Sequence, residues 1–533
     1  MAAGAATWWR SAWLSPLLVL AAGIMAAVAH PPFGLLPGLV GYALLLDRLD
    51  TTGRAPLASA FFRGWLAGTA YFAIGTWWIA EAFFVDAAAH GWMAPIAVIG
   101  MAGGLGLFWG AAGLLYRVLA PRGVSRIIIF ASAMALLEWL RGHVLTGFPW
   151  NLPGETWRAG SAMSQAASVL GAYGLTWLTV MIASAPALVR DGRKGLIVAG
   201  GAVLLLAGTW AWGAHRLQRP TPAPSGPVVR LVPANVPQSD KYDASLFRSI
   251  VTRYVDLTRA PGPRPVDIVI WPEGAIPDQI DSYLAPGSWA YEQINGAMRP
   301  GQALLVGGYR VLPRGGRPLY FNTFVALRRN TVGLSPLGFY DKHRLVPFGE
   351  YIPLDRFLAP LGLHQLVQVG EGFSTGPEPQ PLALPGLPVM QPLICYESLF
   401  PGFTRRGARL AGQRASVIIN VSNDAWFGAT SGPLQHLNLA SYRAIEEGLP
   451  MLRSTPTGVT AVIDAFGRTR SADSLPHGVM GVLDRQIPSA LPPTIYAQTG
   501  DLTFALFLGL SGLLALWGNI RLFKRGVREP DLG

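Results

Sequence analysis

The sequence predicts two architectures in one chain: a polytopic α-helical membrane domain, and an α/β layered domain inserted before its last helix. Three observations predict this. Only 14% of the 533 residues are charged and 51% are hydrophobic, whereas a soluble domain carries about 25% charged residues. About eight apolar stretches reach or approach the roughly 20 residues that a helix needs to cross a bilayer. Between the seventh and the eighth, the text changes to short, β-branched apolar runs separated by polar turns.

The apolar stretches run from Trp13 to Ala29, Phe33 to Leu46, Trp65 to Phe84, Met93 to Leu119, Ile127 to Leu140, Ser164 to Val189, Gly195 to Trp212 and Leu502 to Ile520. The first leads into His30-Pro31-Pro32-Phe33 and another apolar run without a small-residue cleavage site, so it is expected to stay as an anchor rather than leave as a signal peptide. Basic residues orient the helices. An N-terminus inside places Arg10, Arg48, Arg54, Arg63, Arg117, Arg122, Arg126, Arg190, Arg193 and Lys194 in the cytoplasm, with Arg521, Lys524, Arg525 and Arg528 at the far end. The opposite loops hold chiefly Arg141 and Arg158. Seven spans then put the inserted domain outside the cytoplasmic membrane. The formal net charge of +12 flanks apolar runs instead of clustering on a polar face, which suits membrane orientation and anionic headgroups, not nucleic acid. Expected boundaries are residues 1–219 for the first membrane block, 220–499 for the inserted domain and 500–533 for the last helix and a basic tail.

Polar residues beside these spans need a reason, because lipid penalises them. Glu81, Glu138 and Arg141 read either as glue between helices or as the lining of a headgroup cavity. Pro149-Trp150-Asn151 and Trp157 read as an interfacial loop, since Trp favours the headgroup level.

The inserted domain follows a Pro-rich linker from Arg219 to Pro224. Its apolar runs are Val228 to Val232, Val266 to Trp271, Ala303 to Val306, Thr323 to Leu327, Val389 to Ile394, Ser416 to Val421 and Val459 to Ile463. Near-continuous apolar strands imply burial on both faces. In such sheets, reactive groups gather past the carboxyl ends of strands. Three ends carry them: Trp271-Pro272-Glu273; Tyr340-Asp341-Lys342, followed by Glu350; and Ile394-Cys395-Tyr396-Glu397. Cys395 is the chain's one cysteine, so no intramolecular disulfide forms. A free thiol outside the cytoplasm risks oxidation, and its retention asks for a function.

The order Trp-Pro-Glu, then Lys, then Cys-Tyr-Glu resembles the nitrilase (carbon–nitrogen hydrolase) superfamily. Two longer phrases resemble its membrane branch, the apolipoprotein N-acyltransferases: Asp341-Lys342-His343-Arg344-Leu345-Val346-Pro347-Phe348-Gly349-Glu350-Tyr351-Ile352-Pro353, and Ser422-Asn423-Asp424-Ala425-Trp426-Phe427-Gly428 with Gly432-Pro433 and Gln435-His436. The resemblance covers nearly the whole chain and implies a four-layer α-β-β-α sandwich for the inserted domain. The chain departs from the family pattern at Pro233-Ala234-Asn235, Lys241-Tyr242, Gly448-Leu449-Pro450 and Pro456-Thr457-Gly458, all away from the Glu, Lys and Cys positions.

The resemblance and the chemistry together assign roles. Glu273 is the expected general base, Lys342 the cation that favours the thiolate and holds the oxyanion, and Cys395 the nucleophile. Glu350 and Glu397 are expected to hold the lysine or the leaving group, and the Tyr396 N–H to be a second oxyanion donor. Asn235, Tyr242, Trp426, Phe357 and Leu358 are candidate substrate contacts. His343 and His436 read as structural or peripheral. No cofactor is expected, since no cluster has metal-ligand spacing and no GxGxxG or Walker loop occurs.

The resemblance implies a two-step reaction. Cys395 takes an acyl chain from a membrane glycerophospholipid, with phosphatidylethanolamine the expected donor. The thioester then passes it to the α-amino group of an N-terminal diacylglyceryl-cysteine on an apolipoprotein, the last step of bacterial lipoprotein maturation. Competing readings are a membrane-tethered amidase or nitrilase that uses water, and a non-enzymatic scaffold. The apolar segment from Leu354 to Gly376 reads equally as a buried connector or as a gate for lipid.

Overall fold

The structure, a computed structural model, describes residues 14–52, 55–224, 226–315, 318–353 and 372–526, the last ten by backbone alone. Arg10, Arg54, Phe357, Leu358 and Arg528 therefore lie outside the described residues, as does most of the expected lipid gate. Two compact units emerge. One comprises residues 1–80, 92–219 and 499–533; the other comprises 81–91 and 220–498.

In the first unit each apolar stretch carries a helix: Leu14–Val28, Val40–Asp50, Pro56–Gly75, Ala94–Leu119, Ser125–Arg141, Ala167–Ser184, Arg193–Leu217 and Leu502–Gly526. Among the described residues, three helical segments are long and apolar enough to cross a membrane: Ala87–Leu119, Met163–Asp191 and Arg193–Leu217. Leu14–Val28 and Leu502–Leu516 are shorter apolar helices. The second expected span differs most. Pro37 sits in a 3₁₀ turn at Leu36–Leu39, and the helix beyond it has 11 residues, among them Asp47, Arg48 and Asp50. Proline removes an N–H and favours a helix start, so the apolar run from Phe33 breaks there.

Glu138 and Arg141 are buried and satisfied inside this unit. Trp109 Nε1 donates to Glu138 Oε1 at 2.6 Å, and Arg141 Nε donates to Glu138 Oε2 at 2.9 Å. Arg141 also reaches the Phe148 carbonyl and lies 4.8 Å from the Phe72 ring centroid. That is glue between helices, not a cavity lining. The loop expected at the interface is packed into this unit. Trp150 is fully buried between Trp78 and Phe148, and Trp157 donates to Thr179 Oγ1 at 2.9 Å. Buried indoles take protein partners for their polar edge, as Trp157 does here.

The second unit holds two mixed sheets. Its strands are β1 (Val228–Leu231), β2 (Ile268–Ile270), β3 (Ala303–Leu312), β4 (Leu319–Arg329), β5 (Leu334–Asp341), β6 (Met390–Ile394), β7 (Val417–Val421), β8 (Met451–Ser454), β9 (Thr460–Ile463), β10 (Ser474–Leu475) and β11 (Leu483–Gln486). The first sheet has the order β11-β1-β2-β3-β4-β5, with β1, β2 and β3 parallel; the second has β10-β9-β8-β7-β6, with β6, β7 and β8 parallel. Alternation along each strand explains the continuous apolar runs. Ile268, Ile270, Leu305 and Phe324 face Ile394, Val417 and Ile419 of the second sheet. Their neighbours Val269, Leu304 and Val306 pack against Val251, Tyr254 and Val255 of the helix Phe247–Arg259 and Ile294 of the helix Trp289–Ala297. Helices Phe403–Ala411 and Gly432–Glu447 follow β6 and β7, the latter buried along nearly its whole length.

Candidate active site

Glu273 follows β2, Lys342 follows β5, and Cys395 follows β6. The backbone fixes each. Gly307 on β3 passes so close to the Pro272–Glu273 peptide that a Cβ there would lie 2.6 Å from the Pro272 carbonyl oxygen. Only glycine lets β3 support Glu273 this closely. Cys395 itself has φ +49°, a left-handed conformation that a residue with a side chain adopts at a cost. It turns the chain from β6 straight into the 3₁₀ helix Cys395–Leu399.

Three of the expected residues meet in a closed ring, completed by one that sequence reasoning missed. Lys342 Nζ donates to Glu350 Oε1 at 2.9 Å and to Glu273 Oε1 at 3.2 Å. Asn322, on β4, donates through Nδ2 to the same two oxygens, at 2.9 and 2.7 Å. Glu350 Oε2 accepts the Val346 N–H at 2.9 Å. Glu273 Oε2 has no partner among the described residues. Burial disfavours the Lys342 charge, but the two carboxylates outweigh it and hold its pKa above the usual range.

Burial pushes the Cys395 thiol up to about 12, and Glu273 pushes the same way. Lys342 and a hydrogen bond with Ser422 act against this without reversing it. Lys342 is paired with two carboxylates, and burial makes the Cys395 thiol hard to ionise.

Glu397 does not hold the lysine. Its Oε1 accepts from Tyr340 Oη and from the N–H groups of His343 and Arg344, and its Oε2 accepts the Ile394 N–H at 2.8 Å. It ties the turn bearing Cys395 to the loop after Lys342. Burial raises its pKa to about 7. Tyr396 is buried, edge-on to the Phe400 ring at 5.1 Å. His343 lies at the periphery, its Nδ1 3.0 Å from the Gly376 carbonyl oxygen.

His436 is structural but central. Its Nδ1 lies 2.9 Å from Asp424 Oδ1, and its Nε2 lies 3.0 Å from Ser398 Oγ. Arg453 Nη2 donates to Asp424 Oδ2 at 2.6 Å, and Ser422 Oγ donates to Oδ1 at 2.7 Å. All of these are buried. Burial alone would raise the Asp424 pKa, but Arg453 and His436 pull it far below the carboxylate range. The network lies under Cys395, close enough for Asp424 to act on the thiol.

A pocket of about 120 Å³ opens beside the ring, lined by Glu273, Glu350, Asn322, Lys241, Tyr242 and Trp426 among others. Tyr242 and Trp426, two of the expected substrate contacts, are part of that lining. Asn235 is not among the lining residues; its φ is +47°, and its N–H bonds to the Pro456 carbonyl at 2.8 Å.

Comparison with known proteins adds the family. A model described as the apolipoprotein N-acyltransferase N-terminal domain matches residues 22–185, and one described as carbon–nitrogen hydrolase matches residues 237–491. An apolipoprotein N-acyltransferase of Caulobacter vibrioides is 56% identical over 94% of each chain. One of Bradyrhizobium diazoefficiens is 38% identical over 95% of each. Among solved structures, an amidase from Nesterenkonia sp. matches 52% of this chain and 94% of its own, with 18% identity and a TM-score of 0.35. On the extent and level of these sequence matches, the chain belongs to the apolipoprotein N-acyltransferase family.

Proposed function

We propose that this enzyme acylates the N-terminus of bacterial lipoproteins in two steps through a thioester on Cys395. The observation that carries the reading is the ring of Glu273, Lys342, Glu350 and Asn322 beside a buried thiol. Glu273 Oε2, unpartnered among the described residues, takes the thiol proton as Cys395 Sγ attacks an ester carbonyl of a membrane glycerophospholipid, typically phosphatidylethanolamine. Lys342 and Asn322 hold the other carboxylate oxygen and so aim the base. Oxyanion stabilisation falls to Lys342 and the Tyr396 N–H. The lysophospholipid oxygen leaves with the proton from Glu273. The α-amino group of a diacylglyceryl-cysteine then attacks the thioester and Glu273 takes its proton; the C–S bond breaks and Sγ takes that proton from Glu273, giving an N-acylated lipoprotein and free Cys395.

A lipid donor explains the apolar helices. Eight spans, with both termini in the cytoplasm and residues 220–499 on the outer face, bring the site to the leaflet that holds donor and acceptor. Glu397 acts by holding the nucleophile's turn.

The test supplies phospholipid and a synthetic diacylglyceryl-cysteine peptide to the full chain in mixed micelles. The expected product is a peptide heavier by one acyl chain at its α-nitrogen. Free fatty acid with an unmodified peptide would favour an amidase-like hydrolase and overturn the reading.

A further inference from the structure

Lys241 is a second buried lysine at this site. It lies in the 3₁₀ turn Ser239–Tyr242 beyond β1, and it lines the pocket with Glu273, Asn322 and Glu350. Its Nζ is buried and, among the described residues, has neither a hydrogen-bond nor an ion-pair partner. A Cβ on Gly274, the residue after Glu273, would lie 3.3 Å from it. The loop is held there: Asn423 Nδ2 donates to Gln238 Oε1 at 2.7 Å, and the Lys241 N–H bonds to the Gln238 carbonyl.

Two cations therefore share the site in different states. Lys342 is paired with two carboxylates. Among the described residues, Lys241 Nζ has no hydrogen-bond partner and no counter-ion in contact. A buried cation without a partner is costly, so its retention calls for a negative group that arrives with the reaction. A permanent anion such as a phosphodiester would lie against the Glu273 and Glu350 carboxylates. A negative oxygen that forms only as the ester carbonyl is attacked meets no such objection in the resting site.

We infer that Lys241 is a catalytic residue whose ammonium donates to the oxyanion of the tetrahedral intermediate. This rests on the acyl-transfer reading of the site. As the Cys395 Sγ–C bond forms, the carbonyl π pair moves to oxygen, the thiol proton goes to Glu273, and the oxyanion accepts from Lys241 Nζ. On collapse the pair re-forms C=O, the bond to the glycerol oxygen breaks, and that oxygen takes the proton back from Glu273. Such donors act most where water is excluded. Burial lowers the Lys241 pKa to about 8, while Glu273 and Cys395 oppose this. The other titratable groups on the pocket wall are Glu350, Tyr242 and Tyr309.

The test measures acylation of Cys395 in the full chain by p-nitrophenyl hexanoate, a small ester without phosphate, and by phospholipid. Lys241→Met is expected to slow both on the order of 10²-fold or more. Lys241→Arg, which stays charged, is expected to remain active. The ratio of wild-type to arginine-variant rate should then fall as pH rises through about 8. Unchanged rates in the methionine variant would overturn the inference, and so would a loss confined to phospholipid, which would make Lys241 a headgroup anchor. Should the methionine variant not fold, a flat wild-type-to-arginine ratio from pH 7 to 9 overturns it. Wild-type protein that reacts with the ester but not with phospholipid would instead refute the proposed donor, with Lys241 still judged by the ester.

Discussion

Asn322 donates to Glu273 at 2.7 Å, and the oxygen it contacts is the one that Lys342 also holds. The candidate base therefore has one carboxylate oxygen clamped and the other buried without a partner among the described residues. A carboxylate held this way is oriented before substrate arrives, which is what a general base needs.

Loss of that clamp should slow acylation without unfolding the domain. Asn322→Ala removes one charge-assisted hydrogen bond to each of Glu273 and Glu350. A bond to a charged group contributes about 1.5–3 kcal/mol, so a drop of roughly 10- to 150-fold in the acylation rate is expected. Stopped-flow release of p-nitrophenolate measures it. A rate within a factor of two of wild type would show that Lys342 alone orients the base.

Thiol reactivity should report burial. With its pKa pushed up to about 12, Cys395 is a neutral thiol through the physiological range. Its alkylation by iodoacetamide should rise about tenfold per pH unit from pH 6 to 10, with no plateau, because only the thiolate reacts. A plateau near pH 7 would mean a preformed thiolate stabilised by Lys342.

The network under Cys395 should be stabilising only as a unit. Arg453→Met leaves the Asp424 carboxylate buried with less compensation, and breaking such a pair costs about 3–5 kcal/mol. Adding Asp424→Asn should recover part of that loss, because the stranded charge goes. Thermal unfolding of the two variants compares them. A double variant less stable than Arg453→Met would assign Asp424 a separate stabilising role.

Orientation has its own test. An export-dependent reporter fused at Pro224 should be active, and one fused after Arg525 should be silent, with cytoplasm-dependent reporters giving the opposite pattern. The reverse result would place the site in the cytoplasm, away from exported lipoproteins.

The second unit was legible where chemistry and burial coincide. Both faces of β2, β3, β6 and β7 are covered, so their text is continuously apolar and reads as strand. β8 carries the buried Arg453, and β11 is Leu-Asp-Arg-Gln at a sheet edge, so neither shows an apolar run. Glu273, Lys342 and Cys395 stood out because they follow strands. Asn322 lies within β4, and Lys241 lies in a short polar turn, where such residues normally face water. Only tertiary packing turns them inward. The burial of Trp150 and Trp157 was not legible for a related reason: an aromatic residue beside an apolar helix suits a headgroup layer and a protein interior equally well.

The account stands on covalent acylation of Cys395 by phospholipid with no acceptor present. Intact-mass and peptide mass spectrometry of the purified chain in phospholipid micelles should find one acyl chain on the peptide that contains Cys395, released by neutral hydroxylamine as a thioester is. Cys395→Ala should gain no mass, and Glu273→Gln should gain it at least 10²-fold more slowly, on the order expected for a lost general base. Undiminished transfer to the acceptor peptide by Cys395→Ala, or an acyl chain found on another residue, would contradict the central claim.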